Sequence, residues 1–270
     1  MDDIDSRAIR VRAANAVDHT TSLAALEPQW GSRIHRIADG WLVLAGRGMY
    51  INQAMAAGLD VDLGPADLDL VVTASLEMGV SAAIEVTPTT SALTVRRVQA
   101  GGFHHDPNAD ITCLTRPTVG SPVEAPDDVD VRPVASPADL AHWQATARSA
   151  WGHTSPDARR ASDAFAAAAH ALDHEHMAIA YDAADQRTLG CASMTVNDGV
   201  AMCGGMSTLP TERRRGVQAA LLRYRLGLAA DLACDIAVTT AASGSASERN
   251  LRRHGFAGDT TIRRYTRAKR

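Results

Sequence analysis

Aromatic side chains are scarce in this sequence: Phe, Trp and Tyr together make up 4% of 270 residues. Cores must therefore be assembled from Ala, Leu, Val and Ile, and a hydrophobic content of 46% is enough to build them. Lysine is nearly missing. Lys269 is the one lysine, so arginine supplies almost all the positive charge. That bias runs through the whole chain, and no single arginine can be read as chosen over lysine. Cysteine is limited to Cys113, Cys191, Cys203 and Cys234, widely spaced and without a C-x-x-C pair. Such spacing argues against a disulfide framework or a zinc site and points to small core residues in a reducing compartment. No apolar stretch approaches the ~18 residues of a membrane span. The N-terminal MDDIDSRAIR is acidic, with no apolar run behind it, unlike a secretory signal. A cytoplasmic protein with no membrane partner is expected. The net charge of −4 argues against nucleic acid as a partner bound through its phosphates.

What is present divides at a seam. Residues 116–137, RPTVGSPVEAPDDVDVRPVASP, hold five prolines, several acids and little periodicity. They read as a linker that ends in a short strand near 129–134. The expected domains are 1–125 and 126–270. In the second, Ser136 is placed to cap a helix with Pro137 at its first position. A second helix over 157–171 and three strands follow. Val217, Ala220, Leu221, Tyr224, Leu228 and Leu232 then recur at helical spacing. A strand, a short helix stopped by Gly255, and a last strand complete the order β-α-α-β-β-β-α-β-α-β. The first domain ends similarly, in helix, strand, helix and strand. Gly102-Phe103 and Gly255-Phe256 each stand three residues before an Asp, Asp106 and Asp259. These agreements read as an internal duplication, and the fold class is α/β (α+β) with a mixed sheet.

The chemistry is concentrated between residues 200 and 232. Paired glycines, Gly204-Gly205, inside a strand pattern predict a bulge that leaves backbone N–H groups available to a ligand. The loop then delivers Arg213, Arg214, Arg215 and Gly216 to a helix start. Cations there oppose the helix dipole unless an anion joins them. Diphosphate at the helix start and an amide-bearing arm along the strand would suit the unit.

Met206-Ser207-Thr208-Leu209-Pro210 followed by Arg213-Arg214-Arg215-Gly216-Val217-Gln218-Ala219 resembles the acetyl-CoA motif of the GNAT superfamily of N-acetyltransferases, Q/R-x-x-G-x-G/A. The resemblance covers roughly residues 128–270 and implies tandem GNAT-like acyl-CoA N-acyltransferase domains, the first a degenerate copy without a cofactor loop. It also implies acetyl-CoA as co-substrate, without a metal. Backbone groups of Met206 and Thr208 would meet the pantetheine arm. Arg213, Arg214 and Arg215, with N–H groups through Gly216, Val217, Gln218 and Ala219, would hold the diphosphate. Two positions depart from the pattern. Gln218 replaces Gly or Ala, and Leu251 stands where many members have a tyrosine as general acid. Ser247 matches a serine of some branches, and Asn250, on the same face, would either bond the cofactor or brace the fold.

The resemblance implies direct attack by a neutral amine on the thioester, with a strand N–H polarising its oxygen. Asp198, His153 and Tyr181 are candidate bases by location alone. His174-Glu175-His176 and His104-His105-Asp106 read as solvated loops without metal-ligand spacing. Cys203 reads as a small buried residue. In the first domain Asp60, Asp62 and Asp67 surround the matching helix start, where they would repel a diphosphate. The partner is a small-molecule or peptide amine acceptor, and a homodimer is compatible with the reading. The alternative is a non-catalytic acyl-CoA-binding module for sensing or interaction.

Overall fold

A computed structural model of the chain describes residues 3–120 and 122–268. They form two compact units. One comprises the residues up to Leu114 with 240–249 and those from Gly258 on, and the other 115–239 with 250–257.

The chain opens on helix α1 (Asp3–Leu26), strands β1 (Arg33–Ile37), β2 (Gly40–Leu44) and β3 (Gln53–Met55), helix α2 (Pro65–Met78), β4 (Ala82–Val86), α3 (Ala92–Ala100) and β5 (His104–Pro117). It continues through β6 (Val129–Pro133), α4 (Pro137–Trp151), α5 (Pro156–His170), β7 (Glu175–Asp182), β8 (Thr188–Asn197) and β9 (Val200–Thr208). Helix α6 (Val217–Asp231), β10 (Ile236–Ala242), α7 (Ala246–Arg253) and β11 (Ala257–Arg267) complete it. The expected order of the second half is found element for element. In the first half α1 and β1–β3 carry no narrow apolar stripe in the sequence. Helix α1 buries Ala8, Ile9, Val11, Ala13, Ala16 and Leu23, which spread round more than half its circumference.

The order β-β-β-α-β-α-β occurs twice, as β1 to β5 and as β7 to β11. In each copy the second and third strands pair antiparallel. A helix then crosses over to a parallel neighbour, at Ala54 opposite Ile84 in one copy and at Cys203 opposite Thr239 in the other. The helices that follow also stop alike. Phe103 donates its N–H to Val98 O and Phe256 to Leu251 O, past Gly102 and Gly255 in the left-handed region. Such glycine stops free a helix end of unpaired carbonyls, and both phenylalanines are buried.

Strand order in the first unit is β1-β2-β3-β4-β11-β5. The last strand of the chain therefore lies beside β4, antiparallel, with Arg263 opposite Val86 and Arg267 opposite Ala82. Its Tyr265 joins Ile84, Phe103 and Leu63 in that unit's core. In the second unit the order is β10-β9-β8-β7-β6. Trp143 and Ala147 of α4 pack on Met177 and Ile179 of β7, and Val217, Ala220 and Leu221 of α6 pack on Ala180, Leu189 and Ala192.

Two expectations change. The triplets at 174–176 and 104–106 are not wholly loops: His174 lies in a turn, but Glu175 and His176 open β7, and residues 104–106 open β5. The stripe of α6 is also rotated from the expected one. Leu232 is exposed beyond its end, whereas Leu222, Arg225, Leu226 and Ala229 are buried. A wide contact surface, not a narrow one, sets its orientation.

Tyr265→Ala should destabilise the first unit by about 3 kcal/mol or more, the usual cost of removing a buried ring. Urea unfolding checks this, and a loss under about 1 kcal/mol would contradict the central place given to β11.

Candidate functional site

The ladder between β8 and β9 loses a step. Cys191 lies opposite Ser207 and Ser193 opposite Gly204, so β9 spends three residues where β8 spends two. The expected bulge is there, and Gly205 takes φ +56° in it. A methyl group at Gly205 would come within 2.9 Å of Ser193 Oγ and 3.2 Å of Trp143 Cζ2. Pairing of β9 with β10 ends just before, at Cys203, whose carbonyl accepts the Thr239 hydroxyl at 2.9 Å.

Arg225 of α6 lies under this bulge, 1% exposed. Its Nη1 donates to Ser193 O at 3.1 Å and Gly204 O at 3.3 Å, its Nε to Leu221 O, and its Nη2 to Met206 Sδ. No carboxylate joins it in these bonds, and burial lowers its pKa. Sequence reasoning passed over Arg225. The available signal was its place eight residues after Val217 and four after Leu221, on the core face.

After β9 the chain makes a short turn over Pro210–Glu212 and enters α6. Arg214 and Gly216 both take left-handed φ, +67° and +73°. Gly216 is doubly required, because a methyl there would fall 2.6 Å from Pro126 Cδ. The three arginines separate. Arg213 and Arg214 are exposed, and among the described residues neither guanidinium has a partner. Arg215 turns inward to Asp182 at 2.8 Å and Glu212 at 2.8 Å. Arg187 meets the same two carboxylates. The Arg215 bond holds the Asp182 carboxyl below its ordinary value, and those from Arg187 and Arg215 do the same for Glu212. Arg215 thus ties the loop to the end of β7.

Helix α6 has no side-chain cap and no acid in its first turn. The first intrahelical bond is Ala220 N–H to Gly216 O, which leaves the N–H groups of Val217, Gln218 and Ala219 facing out of the helix end. The other internal helices of this unit are capped: Ser136 accepts from Asp139 N–H and Ser155 from Ala158 N–H. The side chains of Val217 and Ala219 are buried. Gln218 Oε1 accepts from Asn250 Nδ2 at 2.9 Å, and Asn250 Oδ1 accepts from Arg253 at 2.7 Å. Leu251 is 1% exposed and packs inward. Ser247 is exposed on the first turn of α7.

The three candidate bases are not brought together. Asp198 sits at φ +49° in the turn that joins β8 to β9. That turn is at the far end of β9 from the bulge, roughly 20 Å along the strand at ~3.3 Å per residue. Tyr181 lies on β7 with the Arg132 guanidinium 5.2 Å over its ring, and burial raises its pKa. His153 follows the end of α4. It packs on Trp151 at 5.7 Å, which meets Trp143 edge-on at 6.3 Å, and its Nδ1 is buried without a partner. The four cysteines are buried and none is in a disulfide, and burial pushes the thiol of Cys191 up to about 12, that of Cys113 to about 11 and that of Cys203 upward. Among the described residues no cluster of His, Cys, Asp and Glu could hold a metal.

The first unit treats its matching loop differently. Asp39 accepts N–H bonds from Gly58 at 2.7 Å, Leu59 at 3.3 Å and Asp60 at 2.7 Å. Asp67 takes the Gly64 N–H at the start of α2, and Asp62 accepts from Ser91 and Thr94. Asp60 pairs with Arg10 at 2.6 Å. The N–H groups of Gly58, Leu59, Asp60 and Gly64 are thus met by the chain's own carboxylates.

The sequence of residues 138–256 matches the model of the acetyltransferase (GNAT) family. No curated protein matches the chain. Among solved structures, a GCN5-related N-acetyltransferase from Kribbella flavida is similar at TM-score 0.67 and 18% identity, over 96% of each chain. A tandem GNAT protein from the clavulanic acid biosynthesis pathway has TM-score 0.60 and 12% identity, over 86% of this chain and 78% of its own. A GCN5-related N-acetyltransferase from Sphaerobacter thermophilus has TM-score 0.57 and 15% identity, over 73% and 64%. The fold is that of tandem GNAT acyltransferase domains, as the sequence resemblance implied.

Asp39→Ala strands three N–H groups and should cost about 2–3 kcal/mol in urea unfolding, the range for bonds to a charged acceptor. The network around Arg215 sets a pH dependence. Its carboxyls titrate below their ordinary 3.8 and 4.5, so its stabilisation is complete above those values and is lost as pH falls below them. Thermal melting across that acid range should show a step that Arg215→Ala diminishes; an unchanged step would refute the network's part in it.

Proposed function

Starting from a GNAT acetyltransferase domain over residues 138–256, we propose that the second unit binds acetyl-CoA and transfers its acetyl group to an amine acceptor. The observation that carries this reading is the contrast between two helix starts. The first unit meets its loop donors with Asp39 and Asp67 and has an acid in the first turn of α2, while α6 presents uncapped N–H groups with no acid in its first turn beside two exposed arginines. Uncapped N–H groups and guanidinium forks are the chemistry that a diphosphate needs. The residues present fit the ligand.

In this reading Arg213 and Arg214 close on the diphosphate from outside, and the N–H groups of Val217, Gln218 and Ala219 face it along the helix axis. Arg215 does not touch it and sets the loop's shape. Backbone groups of Met206 and Thr208 receive the pantetheine arm along β9. The amine nitrogen attacks the thioester carbon, the C–N bond forms, and the C–S bond breaks as an N–H of the bulge stabilises the oxyanion. The acceptor gives up a proton and the leaving thiolate takes one. Leu251 cannot supply it. We assign no residue as base: Asp198 is too far along β9, and the raised pKa of Tyr181 keeps it protonated at neutral pH. His153, with its unpartnered Nδ1, is the group of the three most open to a role at the acceptor. Four buried cysteines outside disulfides suit the reducing, cytoplasmic setting of this reading.

Calorimetry with acetyl-CoA and CoA release across a panel of amines test the proposal. Replacing Arg213 and Arg214 together by Ala should weaken acetyl-CoA about 10- to 100-fold, the worth of charge-assisted bonds, without lowering the melting temperature. Binding with no release on any amine would favour the sensing module, which the apolar Leu251 position motivates. Absence of binding would refute both.

A further inference from the structure

Arg225 is a cation in the protein interior that neither a carboxylate nor the diphosphate loop accounts for. Buried charge is costly unless it is bonded, and here the bonds go to the carbonyls of Ser193 and Gly204, the ladder pair beside the missing step. In a trans peptide the C=O and the following N–H point in opposite directions. Holding the Gly204 carbonyl toward Arg225 therefore directs the Gly205 N–H away from it. Gly205 is the bulge residue in the left-handed region, and Ser193 and Trp143 leave no room for a side chain on it. The fork also fixes Met206 through its sulfur, one residue further along the strand proposed to receive the pantetheine arm.

We propose that Arg225 is a positioning residue for the thioester: it orients the Gly204–Gly205 peptide so that the Gly205 N–H meets the acetyl carbonyl oxygen, and its buried positive charge favours the oxyanion formed there. This rests on the acetyl-CoA reading above. It assigns to an interior helix residue a task that β9 alone cannot perform, because a strand with paired glycines has no side chain to hold its own peptide planes. The charge is effective because a fixed charge in a dry interior needs no reorganisation when the oxyanion develops.

The test compares ligands with and without the acetyl carbonyl. Acetyl-CoA and CoA share every contact of the nucleotide and the arm, so their affinity ratio isolates the carbonyl. Calorimetry is run on the wild type, Arg225→Met and Arg225→Lys, together with infrared spectra of bound acetyl-CoA carrying a 13C carbonyl. The wild type should bind both ligands and shift the carbonyl stretch to lower frequency. Arg225→Met should weaken acetyl-CoA about 10-fold while CoA changes by less than about twofold, the loss expected for a charge-supported bond, and the stretch should return toward its free value. Arg225→Lys, which keeps the charge without the fork, should recover part of the shift. Equal weakening of both ligands with the stretch unmoved would overturn the proposal and leave Arg225 a support of the fold. If Arg225→Met does not fold, the wild-type spectrum decides, since an unshifted carbonyl overturns the proposal by itself. Failure of the wild type to bind either ligand would instead refute the acetyl-CoA reading.

Discussion

The second unit is organised around the step missing from the β8–β9 ladder. A bulge separates backbone groups that would otherwise bond each other, and something must meet the exposed carbonyls. The guanidinium of Arg225 does so from below, with donors to Ser193 and Gly204. Several sequence choices follow from that one defect. Gly205 must be glycine because a side chain would strike Ser193 and Trp143. Gly190 must be glycine because the displaced β9 brings Ser207 O within 2.5 Å of where its Cβ would be. Thr239 closes the last rung with β10, and Leu209 N–H bonds Leu189 O, which aims the chain into the loop before α6.

The loop then solves an electrostatic problem in two ways. Three successive arginines at the positive end of a helix would repel the dipole and each other. One of them, half-buried, pairs with Asp182 and Glu212, which fixes the backbone. The other two stay exposed and carry the charge outward. The first unit has the same strand-loop-helix order with the opposite solution, a carboxylate placed among the N–H groups. A site that supplies its own anion has no need of a ligand's. The duplicated architecture thus carries one scaffold with two different arrangements of side-chain charge at the matching loop.

Gln218 stands where the resembled motif has a small residue, and Asn250 of α7 lies beside it. Their side chains bond each other, so the larger residue on α6 is met by a polar partner on α7. Leu251 has a different explanation. Its carbonyl accepts the Phe256 N–H in the helix stop, and Val98 does the same for Phe103 in the first unit. Both positions are buried and apolar. Leu251 and Val98 are thus packing positions at the same place in the two copies.

Element order in the second half, the Ser136 cap, the bulge at Gly204-Gly205 and the glycine at the start of α6 were legible in the sequence. Each depends on local backbone chemistry, in which turn residues, caps and periodicity act within a few positions. Helix α1 escaped because its buried residues form no narrow stripe, and the histidine triplets escaped because polar residues can begin a strand. What only the tertiary structure decided are long-range pairings: β11 beside β4, Arg215 with Asp182, Gln218 with Asn250, and the burial of Arg225. The sequence states that an arginine stands at position 225. Whether it is solvated or interior depends on carbonyls more than twenty residues away in the chain, which the folded sheet alone brings within hydrogen-bond reach.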